Sequence, residues 1–394
     1  MFNRILKKPL MARKSFFLFG PRGTGKTSWL KQAVPDALYF DLLEAKWRIL
    51  FLANPQRLAE YIAPDFKGWI VIDEIQKVPD LLNEVHRLIE SQGYCFILSG
   101  SSVRKLYQKG VNLLAGRALT YYFHPLLAQE LGAAFNLGHY LQFGGLPSVY
   151  LEQDPQHYLT SYVATYLHEE VAQEGLTRQL SAFARFLESA SFSQGSVLNM
   201  SAVARECGVN QKTVSGYFDI LTELLMGYQL MPFTRRAKRR VTLHAKFYFF
   251  DVGVYRSLRP QGPMDSTEEI EGMALETLFL QHLRAMNDYF QLQYSLYYWR
   301  THHGLEVDFI LYGSAGFLAF EIKRKTKLAS NDFQGLKAFL EDYPEATAYL
   351  IYGGQEKQYH GQVKVLPMED ALMMLPTLLA NKVLKDKTDG LFNQ

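Results

Sequence analysis

Short apolar runs, separated by turns and helix-like segments, characterise the first third of this chain. The runs occupy residues 16–19, 38–40, 69–72, 94–98 and 121–123. Uninterrupted apolar runs of this length indicate strands that are covered on both faces, as in a parallel sheet between helices. Residues 79–89 repeat apolar side chains at helical spacing. The pattern therefore predicts an α/β fold with helices on both faces of a parallel sheet.

A glycine-rich loop joins the first apolar run to a predicted helix and ends in Gly-Lys-Thr. Its residues are Gly20, Pro21, Arg22, Gly23, Thr24, Gly25, Lys26 and Thr27. Glycines let the backbone turn its amides inward around an anion, and the helix adds a positive N-terminal dipole. We expect Lys26 to reach the β- and γ-phosphates and the Thr27 hydroxyl to ligate Mg²⁺. The loop predicts a P-loop NTPase that uses ATP and Mg²⁺.

Two acids, Asp73 and Glu74, follow the apolar run 69–72. Hydrolysis by a P-loop protein needs an acid beside the metal and a group that polarises the attacking water. We assign the first role, as a metal-side ligand, to Asp73 and the second, as catalytic base, to Glu74. A solvated acid pair at a strand end is the alternative, which the upstream P-loop disfavours.

Two further candidates lie after the run 94–98. Ser99 or Ser101 suits a polar residue that senses the γ-phosphate, and we assign Ser99 to the nucleotide site, although a strand-end turn fits as well. Arg117 is a candidate for stabilising transition-state charge, in cis or across a subunit interface. The second case requires self-association through the ATPase domain. A surface salt bridge is the usual role of a lone arginine.

The composition is that of an ordinary globular protein. The 394 residues are 48% hydrophobic and 21% charged, which suits two or three domains. A net charge of +3 is too small to indicate nucleic acid by itself. Cys95 and Cys207 lie outside any CxxC spacing, so they indicate neither a disulfide framework nor a zinc site. Without a signal-like or membrane-length apolar segment, we expect a cytoplasmic protein with no membrane partner.

Residues 196–260 combine helix-turn-helix punctuation with a basic run. Ser201 is predicted to cap one helix, Gly208 to turn the chain and Asn210 to cap a second helix. Polar residues begin that second helix, as in recognition helices. They are Gln211, Lys212, Thr213 and Ser215.

The basic run that follows suits phosphate contacts on a hairpin wing. Its cations are Arg235, Arg236, Lys238, Arg239 and Arg240. DNA is therefore the expected partner of this region. The alternatives are a winged helix that binds protein and a solvated basic loop.

The last third of the chain carries a second constellation. Asp308 lies in one predicted strand, and Glu321 and Lys323 lie in the next, after a glycine-flanked turn. Strand alternation places Glu321 and Lys323 on one face, and Glu276 from a preceding helix completes the acid set. Carboxylates beside a lysine suit a second divalent metal and phosphodiester hydrolysis, with Lys323 as the catalytic cation. A strand with Glu and Lys on its wet face is the alternative.

Together these motifs resemble the prokaryotic ATPase family that joins an AAA-type domain to a DUF4143 C-terminal region. The resemblance is carried by Gly-Pro-Arg-x-x-Gly-Lys-Thr, Ile-Asp-Glu-Ile-Gln, Leu-Ser-Gly-Ser-Ser, Leu-Ala-Gly-Arg and Lys-Phe-Tyr-Phe-Phe-Asp-Val-Gly. The Asp…Glu-x-Lys pattern also resembles that of the PD-(D/E)xK nuclease fold. The resemblance covers nearly the whole chain. It implies an AAA+/STAND-like P-loop ATPase domain at 1–165, a winged helix-turn-helix at 166–260 and a restriction-endonuclease-like α/β domain at 261–394.

We therefore predict an ATP-hydrolysing protein whose C-terminal half contacts or cuts DNA. The alternative is a nucleotide-controlled signalling or scaffold switch. In that case the C-terminal domains bind protein, and the acids and lysine of the second constellation are remnants.

Overall fold

The computed structural model describes residues 2–102, 114, 116–167, 180–263 and 265–380. The chain forms two compact units. The first unit contains Met1–Leu126 and Glu223–Met226, and the second contains Leu127–Thr222 and Gly227–Gln394. Residue 115 of the Leu-Ala-Gly-Arg motif lies outside the described residues.

The first unit is built on a five-stranded parallel sheet. Its strands are β1 Phe16–Phe19, β2 Leu38–Asp41, β3 Trp69–Asp73, β4 Cys95–Gly100 and β5 Leu119–Tyr122. The spatial order is β2-β3-β4-β1-β5. All four residues of β1 are buried, so both faces of this inner strand are covered. This confirms the parallel α/β sheet predicted from the apolar runs.

The connecting helices supply that cover. Among its described residues, the first unit has α-helices at Lys8–Met11, Lys26–Ala33, Ala45–Ala53 and Leu81–Gln92, with 3₁₀ segments at Pro55–Tyr61 and Ile75–Lys77. Leu82 and Val85 pack into one core with Phe17 and Phe19 of β1. The helix Leu81–Gln92 ends where Gly93 takes a left-handed conformation, which glycine adopts without steric cost.

The second unit is organised around an eight-stranded mixed sheet. Its strands are β6 Gly227–Pro232, β7 Lys246–Phe249, β8 Ser295–Arg300, β9 Glu306–Gly313, β10 Gly316–Lys323, β11 Thr347–Tyr352, β12 Gln358–His360 and β13 Val363–Pro367. Their order is β12-β13-β11-β10-β9-β8-β6-β7. Because β6 pairs in parallel with β8, the hairpin β6–β7 belongs to the same sheet as the Asp308 and Glu321 strands.

Three helices, Thr267–Phe290, Gln334–Asp342 and Met368–Leu379, contact the central strands of this sheet. The described α-helices that begin after residue 127 are Ala128–Leu131, Leu137–Phe143, Pro155–Ser161, Leu180–Phe192, Met200–Cys207, Gln211–Glu223, Val252–Leu258, Thr267–Phe290, Gln334–Asp342 and Met368–Leu379. The described residues include no helix that is long and apolar enough to cross a membrane.

The two helices and the glycine turn predicted for the helix-turn-helix are present, but the residue that caps the first helix differs from the prediction. Gly208 turns the chain at φ 66°, and Asn210 caps the second helix by accepting a hydrogen bond from the Thr213 amide at 2.8 Å. The first helix begins earlier than predicted, because Asn199 accepts the hydrogen bond from the Ala202 amide at 3.1 Å. Ser201 is therefore not the cap; its hydroxyl accepts a hydrogen bond from the Gln211 side chain.

Asp251 ties two segments of the second unit together. Its buried carboxylate accepts hydrogen bonds from the amides of Gly253 and Val254, which begin a helix, and from the amide of Gly145. A side chain at Gly144 would collide with this carboxylate, and one at Gly253 would collide with the Phe143 carbonyl. These contacts give a physical reason for the Asp-Val-Gly end of the Lys-Phe-Tyr-Phe-Phe-Asp-Val-Gly segment.

A buried histidine links the long helix Thr267–Phe290 to the start of the unit. The His282 Nδ1 lies 2.9 Å from the Leu278 carbonyl, and its Nε2 accepts the Ala128 amide at 2.9 Å. Burial lowers the pKa of His282 to about 4, against an ordinary value of 6.5. The folded chain therefore holds this imidazole neutral.

This histidine predicts a pH dependence of stability. Between pH 6.5 and 4 the unfolded chain binds a proton at His282 that the folded chain excludes, so the contribution of this residue to stability is full above pH 6.5 and falls as the pH drops. The loss should reach about 3 kcal/mol, at roughly 1.4 kcal/mol per pH unit. Buried Asp251 and Glu276, whose pKa values are raised, act in the opposite direction over this range, so the loss is measured as a difference between variants. In denaturant unfolding of the second unit, wild type and a His157→Gln control should lose about 3 kcal/mol more than His282→Gln. An unchanged pH profile in His282→Gln would contradict this assignment.

Candidate functional site

The P-loop wraps around the ammonium group of Lys26. Lys26 Nζ donates to the carbonyls of Gly20 at 2.6 Å and Pro21 at 3.1 Å. Gly23 and Gly25 have φ angles of 80° and 90°, which side-chain-bearing residues rarely adopt. A Cβ at Gly20 would collide with the Phe123 carbonyl. The loop thus needs its glycines for the conformation that it holds.

The other loop residues complete the turn. Thr24 is buried, and its hydroxyl donates to the Pro21 carbonyl at 2.8 Å. Arg22 is exposed at the loop surface. Arg4, which the sequence analysis does not single out, donates to the Thr24 carbonyl at 3.0 Å and to the His124 carbonyl, with its guanidinium 4.0 Å from the centre of the Phe123 ring. Nothing in the basic N-terminal segment distinguishes Arg4 from its neighbours.

Asp73 is the centre of the site. Its Oδ2 accepts hydrogen bonds from the hydroxyls of Thr27 at 2.7 Å and Tyr39 at 2.5 Å. Its Oδ1 accepts from the Ser99 hydroxyl and from the Glu74 amide at 3.1 Å. The carboxylate is only 2% exposed. The structure thus brings together Thr27, Asp73 and Ser99, which the sequence analysis placed in one site.

The strand order explains this convergence. Strand β4 lies between β1 and β3, and parallel strands end at the same edge of a sheet, so Ser99 comes between the P-loop and Asp73. Tyr39 is a further member that the motifs do not predict: it pairs with Val71 on β3, and its hydroxyl reaches the Asp73 carboxylate. Burial and the adjacent Asp73 carboxylate raise the pKa of the Tyr39 hydroxyl, so this group stays protonated and donates.

Glu74 is held in a defined position by its neighbours. Its backbone is left-handed at φ 59°, an uncommon state for a residue other than glycine. The Gln76 Nε2 donates to Glu74 and to the Ser101 hydroxyl at 2.9 Å, and that hydroxyl lies 3.3 Å from Glu74. The Ser101 hydroxyl therefore contacts Glu74, whereas the Ser99 hydroxyl donates to Asp73.

Gln76 is a further functional candidate. It is 2% exposed, and its Oε1 has no hydrogen-bond partner among the described residues. A side chain at Gly100 would collide with this oxygen, so Gly100 leaves room for Gln76 beside Glu74. The Ile-Asp-Glu-Ile-Gln motif contains Gln76, but spacing alone gives it no role.

Arg117 does not join this cluster. It precedes β5, whose last residue Tyr122 pairs with Phe19 at the P-loop edge, so Arg117 lies about 16 Å away along the strand direction. Its guanidinium pairs with Glu90. This position favours the second form of the prediction, in which Arg117 acts across a subunit interface, over a role in cis.

The second constellation also assembles, with additional members. Asp308 Oδ2 accepts a hydrogen bond from the Ile322 amide at 2.8 Å, and Lys323 Nζ donates to Glu321 Oε1 at 2.5 Å. Glu276 accepts from the Tyr248 hydroxyl at 2.9 Å. These residues lie on the long helix, β9 and β10, as predicted.

Two residues of this cluster, Lys246 and Glu306, are not predicted from the motifs. Lys246 from β7 is 2% exposed, pairs with Glu306, and has its Nζ 3.9 Å from Asp308 Oδ1. Glu306 also binds Arg300 at 2.9 Å. The sequence offers one signal for Lys246, because it begins an apolar strand. A lysine buried in such a strand needs carboxylate partners.

Burial dominates the electrostatics of this cluster. It raises the pKa of Glu276 to about 8 and that of Glu321 well above its ordinary value, and the Asp308 carboxylate adds to both shifts. Burial opposes the charge on Lys246, but the surrounding carboxylates raise its pKa above its ordinary value. The lysines are therefore the charged partners that hold the acids in place.

The predicted second metal site is not supported. In the part of the chain that the structure describes, no group of three or more His, Cys, Asp or Glu side chains is placed to hold a metal ion. Asp308, Glu321 and Glu276 do not form such a group: one oxygen of each already accepts a hydrogen bond, from the Ile322 amide, the Lys323 ammonium and the Tyr248 hydroxyl respectively, and the buried Glu321 Oε2 has no hydrogen-bond partner among the described residues. Lys323 pairs with Glu321 and is not left beside an open metal position.

The basic run is partly anchored within the second unit. Arg239 binds Glu341 at 2.5 Å and Asp342 at 3.0 Å. The Arg235 guanidinium lies 5.0 Å from the centre of the Tyr312 ring. Arg236 and Arg240 are exposed. The polar start of the second helix of the helix-turn-helix is also exposed at Gln211 and Lys212.

Family models match three successive parts of the chain. Residues 12–132 match an AAA domain, residues 135–265 match DUF8612 and residues 271–371 match DUF4143; the last two are domains of unknown function. Relatives include the uncharacterized protein Rv2008c of Mycobacterium tuberculosis, 26% identical over 94% of this chain and 82% of the relative. An uncharacterized protein of Haemophilus influenzae is 23% identical over 60% of this chain and 67% of that protein.

Two solved structures show weak likeness. The Orc1 protein of Aeropyrum pernix in complex with DNA has a TM-score of 0.25 at 15% identity, covering 62% of this chain and 86% of its own. Protein VC1899 from Vibrio cholerae has a TM-score of 0.22 at 12% identity, covering 93% and 97%. Scores this low carry no functional argument.

The P-loop geometry and the family models agree on the first unit and confirm the resemblance drawn from the motifs. The chain thus has an AAA-type P-loop domain at its N-terminal end, followed by DUF8612 and DUF4143 domains.

Proposed function

We propose that the first unit binds ATP with Mg²⁺ and hydrolyses it. The observation that carries this proposal is the 2.7 Å hydrogen bond between the P-loop hydroxyl of Thr27 and Asp73. The bond brings together the two groups that would hold Mg²⁺, and oxygen ligands of this kind are those that Mg²⁺ prefers. Bound Mg²⁺ would neutralise charge on the phosphates.

The chain's own residues then have separate tasks. The glycine-rich loop presents amides to the phosphates, and Lys26 exchanges its bonds to the Gly20 and Pro21 carbonyls for phosphate oxygens. Ser99 and Tyr39 fix the Asp73 carboxylate by donating to opposite oxygens. A carboxylate held from both sides loses little freedom when the nucleotide binds.

Glu74 is the proposed base. The side chains of Gln76 and Ser101 contact its Oε2, which leaves the other oxygen for the attacking water. Gln76 is then a positioning residue, since it acts through Glu74 and not on the nucleotide.

We further propose that the second unit binds DNA through its helix-turn-helix and the exposed cations of the basic run. The cap geometry of Asn199 and Asn210 and the exposed Lys212 support this proposal. In this proposal residues 166–260 form a winged helix and residues 261–394 a nuclease-like α/β fold that share one sheet. The alternative of a protein-binding switch predicts no salt-dependent binding to DNA.

The first test is ATP turnover. Glu74→Gln keeps the side-chain shape and removes the base, so turnover should fall at least about 100-fold while bound ATP is retained. Lys26→Ala should weaken ATP binding, because it removes the cation facing the phosphates. Glu44→Gln, at an exposed glutamate of the same unit, is the matched control. Undiminished turnover in Glu74→Gln would remove Glu74 from the mechanism.

The second test concerns Gln76. Replacing it with Ala removes a donor to Glu74 without touching the P-loop, so turnover should fall about tenfold, or about 1.4 kcal/mol, with ATP affinity unchanged. Gln92→Ala, at an exposed position of the same unit, should behave as wild type. A loss of ATP affinity equal to the loss of turnover would instead indicate a structural role.

The third test concerns DNA. The logarithm of the affinity should fall linearly with the logarithm of the salt concentration, and Arg236→Gln with Arg240→Gln should flatten that slope by about two. These two arginines are preferred to Arg239, whose loss would also break its ion pairs with Glu341 and Asp342. Lys14→Gln with Lys67→Gln, exposed in the first unit, is the control. A slope unchanged by the arginine variant would favour the protein-binding alternative.

A further inference from the structure

Lys246 reaches the carboxylate cluster from the hairpin β6–β7, whereas the acids of the cluster come from the long helix, β9 and β10. It begins β7, a strand whose four residues are all buried. A lysine side chain that is 2% exposed is rare in proteins and persists only where acids compensate its charge. Here Glu306 pairs with the ammonium group, and Asp308 lies within 3.9 Å of it.

The cluster is balanced by its own cations. Lys246 and Arg300 both contact Glu306, and Lys323 contacts Glu321. Glu276, the remaining acid, accepts a hydrogen bond from Tyr248 on the same strand as Lys246. Each of these carboxylates is therefore already bonded through one oxygen or both to an ammonium, a guanidinium, a hydroxyl or a backbone amide, and Glu321 Oε2 is left as a single buried oxygen without a hydrogen-bond partner among the described residues.

A divalent metal requires a different arrangement. Mg²⁺ needs several oxygens at about 2.0–2.1 Å around one point. Here a second positive group is already beside the acids, because Lys246 Nζ contacts Glu306 and lies 3.9 Å from Asp308 Oδ1. The described carboxylates form no such group. The nuclease-like fold thus implies a metal that the donor set of this chain does not fit.

We propose that the ammonium group of Lys246 is the resident cation of this cluster, in the electrostatic place that a divalent metal holds in phosphodiester cleavage. The second unit consequently contacts DNA without cutting it. The ion pairs between these carboxylates and lysines then hold the hairpin β6–β7 against strands β9 and β10. This inference does not depend on ATP hydrolysis in the first unit, whose turnover is measured separately.

The first experiment is a calorimetric Mn²⁺ titration of the full chain without nucleotide. Wild type and Asp308→Asn should give the same heats of Mn²⁺ binding, because the side chain at position 308 holds no metal in either protein. Incubation of both with double-stranded DNA and Mn²⁺ should leave the DNA intact. Stoichiometric Mn²⁺ binding that disappears in Asp308→Asn, or Mn²⁺-dependent cleavage that disappears with it, would overturn the proposal.

The second experiment removes the proposed cation. Lys246→Met should lower Tm by roughly 10 °C, because it leaves buried acids uncompensated. Adding Asp308→Asn to the same chain should restore part of that loss, since it removes one of those acids. Lys337→Met, at an exposed lysine, should leave Tm unchanged. An unchanged Tm in Lys246→Met, or a double variant less stable than Lys246→Met alone, would contradict the proposal.

If Lys246→Met does not fold, Lys246→Arg provides the second comparison. It keeps the positive charge and should retain a folded chain with the wild-type Mn²⁺ titration. An Asp308-dependent Mn²⁺ site in Lys246→Arg would show that the cluster accepts metal in the presence of a cation, and would overturn the assignment.

Discussion

The first unit depends on the hydrogen bonds to a single buried carboxylate, that of Asp73. Hydroxyl groups from the P-loop, β2 and β4 all donate to it. This one side chain therefore fixes the position of the predicted phosphate-binding loop relative to the sheet. A buried carboxylate is stable only when its oxygens are satisfied, and here four donors satisfy them. The same bonds place Thr27 and Asp73 where Mg²⁺ ligands are needed. Fold and proposed chemistry thus share one constraint.

Much of this unit follows from the sequence. Apolar runs identify the strands, and glycines at left-handed positions identify the loop, because both signals are local. Tyr39 and Gln76 are different. Their roles arise only when β2, β3 and β4 end at one edge, a consequence of strand order that no local spacing encodes. Arg117 shows the converse: its position beside Gly116 suggested a catalytic arginine, but the parallel register carries it to the far edge.

The second unit shows where motif reasoning is incomplete. The sequence pattern places Glu321 and Lys323 on one face of a strand and Asp308 on the neighbouring strand, as the structure does. The same pattern gives no information on which side chains other strands of the sheet bring to this cluster. Lys246 does so, because the hairpin β6–β7 joins the sheet beside β8. A motif defined by acids alone therefore does not distinguish a metal site from a site compensated by lysine. The geometry of the added cation makes that distinction.

The most direct test of the account is the Mg²⁺ dependence of ATP turnover in Asp73→Asn. Asparagine keeps the size of the side chain and removes the charge that should attract the metal, while the P-loop amides and Lys26 remain to bind phosphate. We predict that the Mg²⁺ concentration for half-maximal turnover rises at least about tenfold, equivalent to about 1.4 kcal/mol, and that ATP still binds. Turnover with the wild-type Mg²⁺ dependence in Asp73→Asn would contradict the central role assigned to this carboxylate.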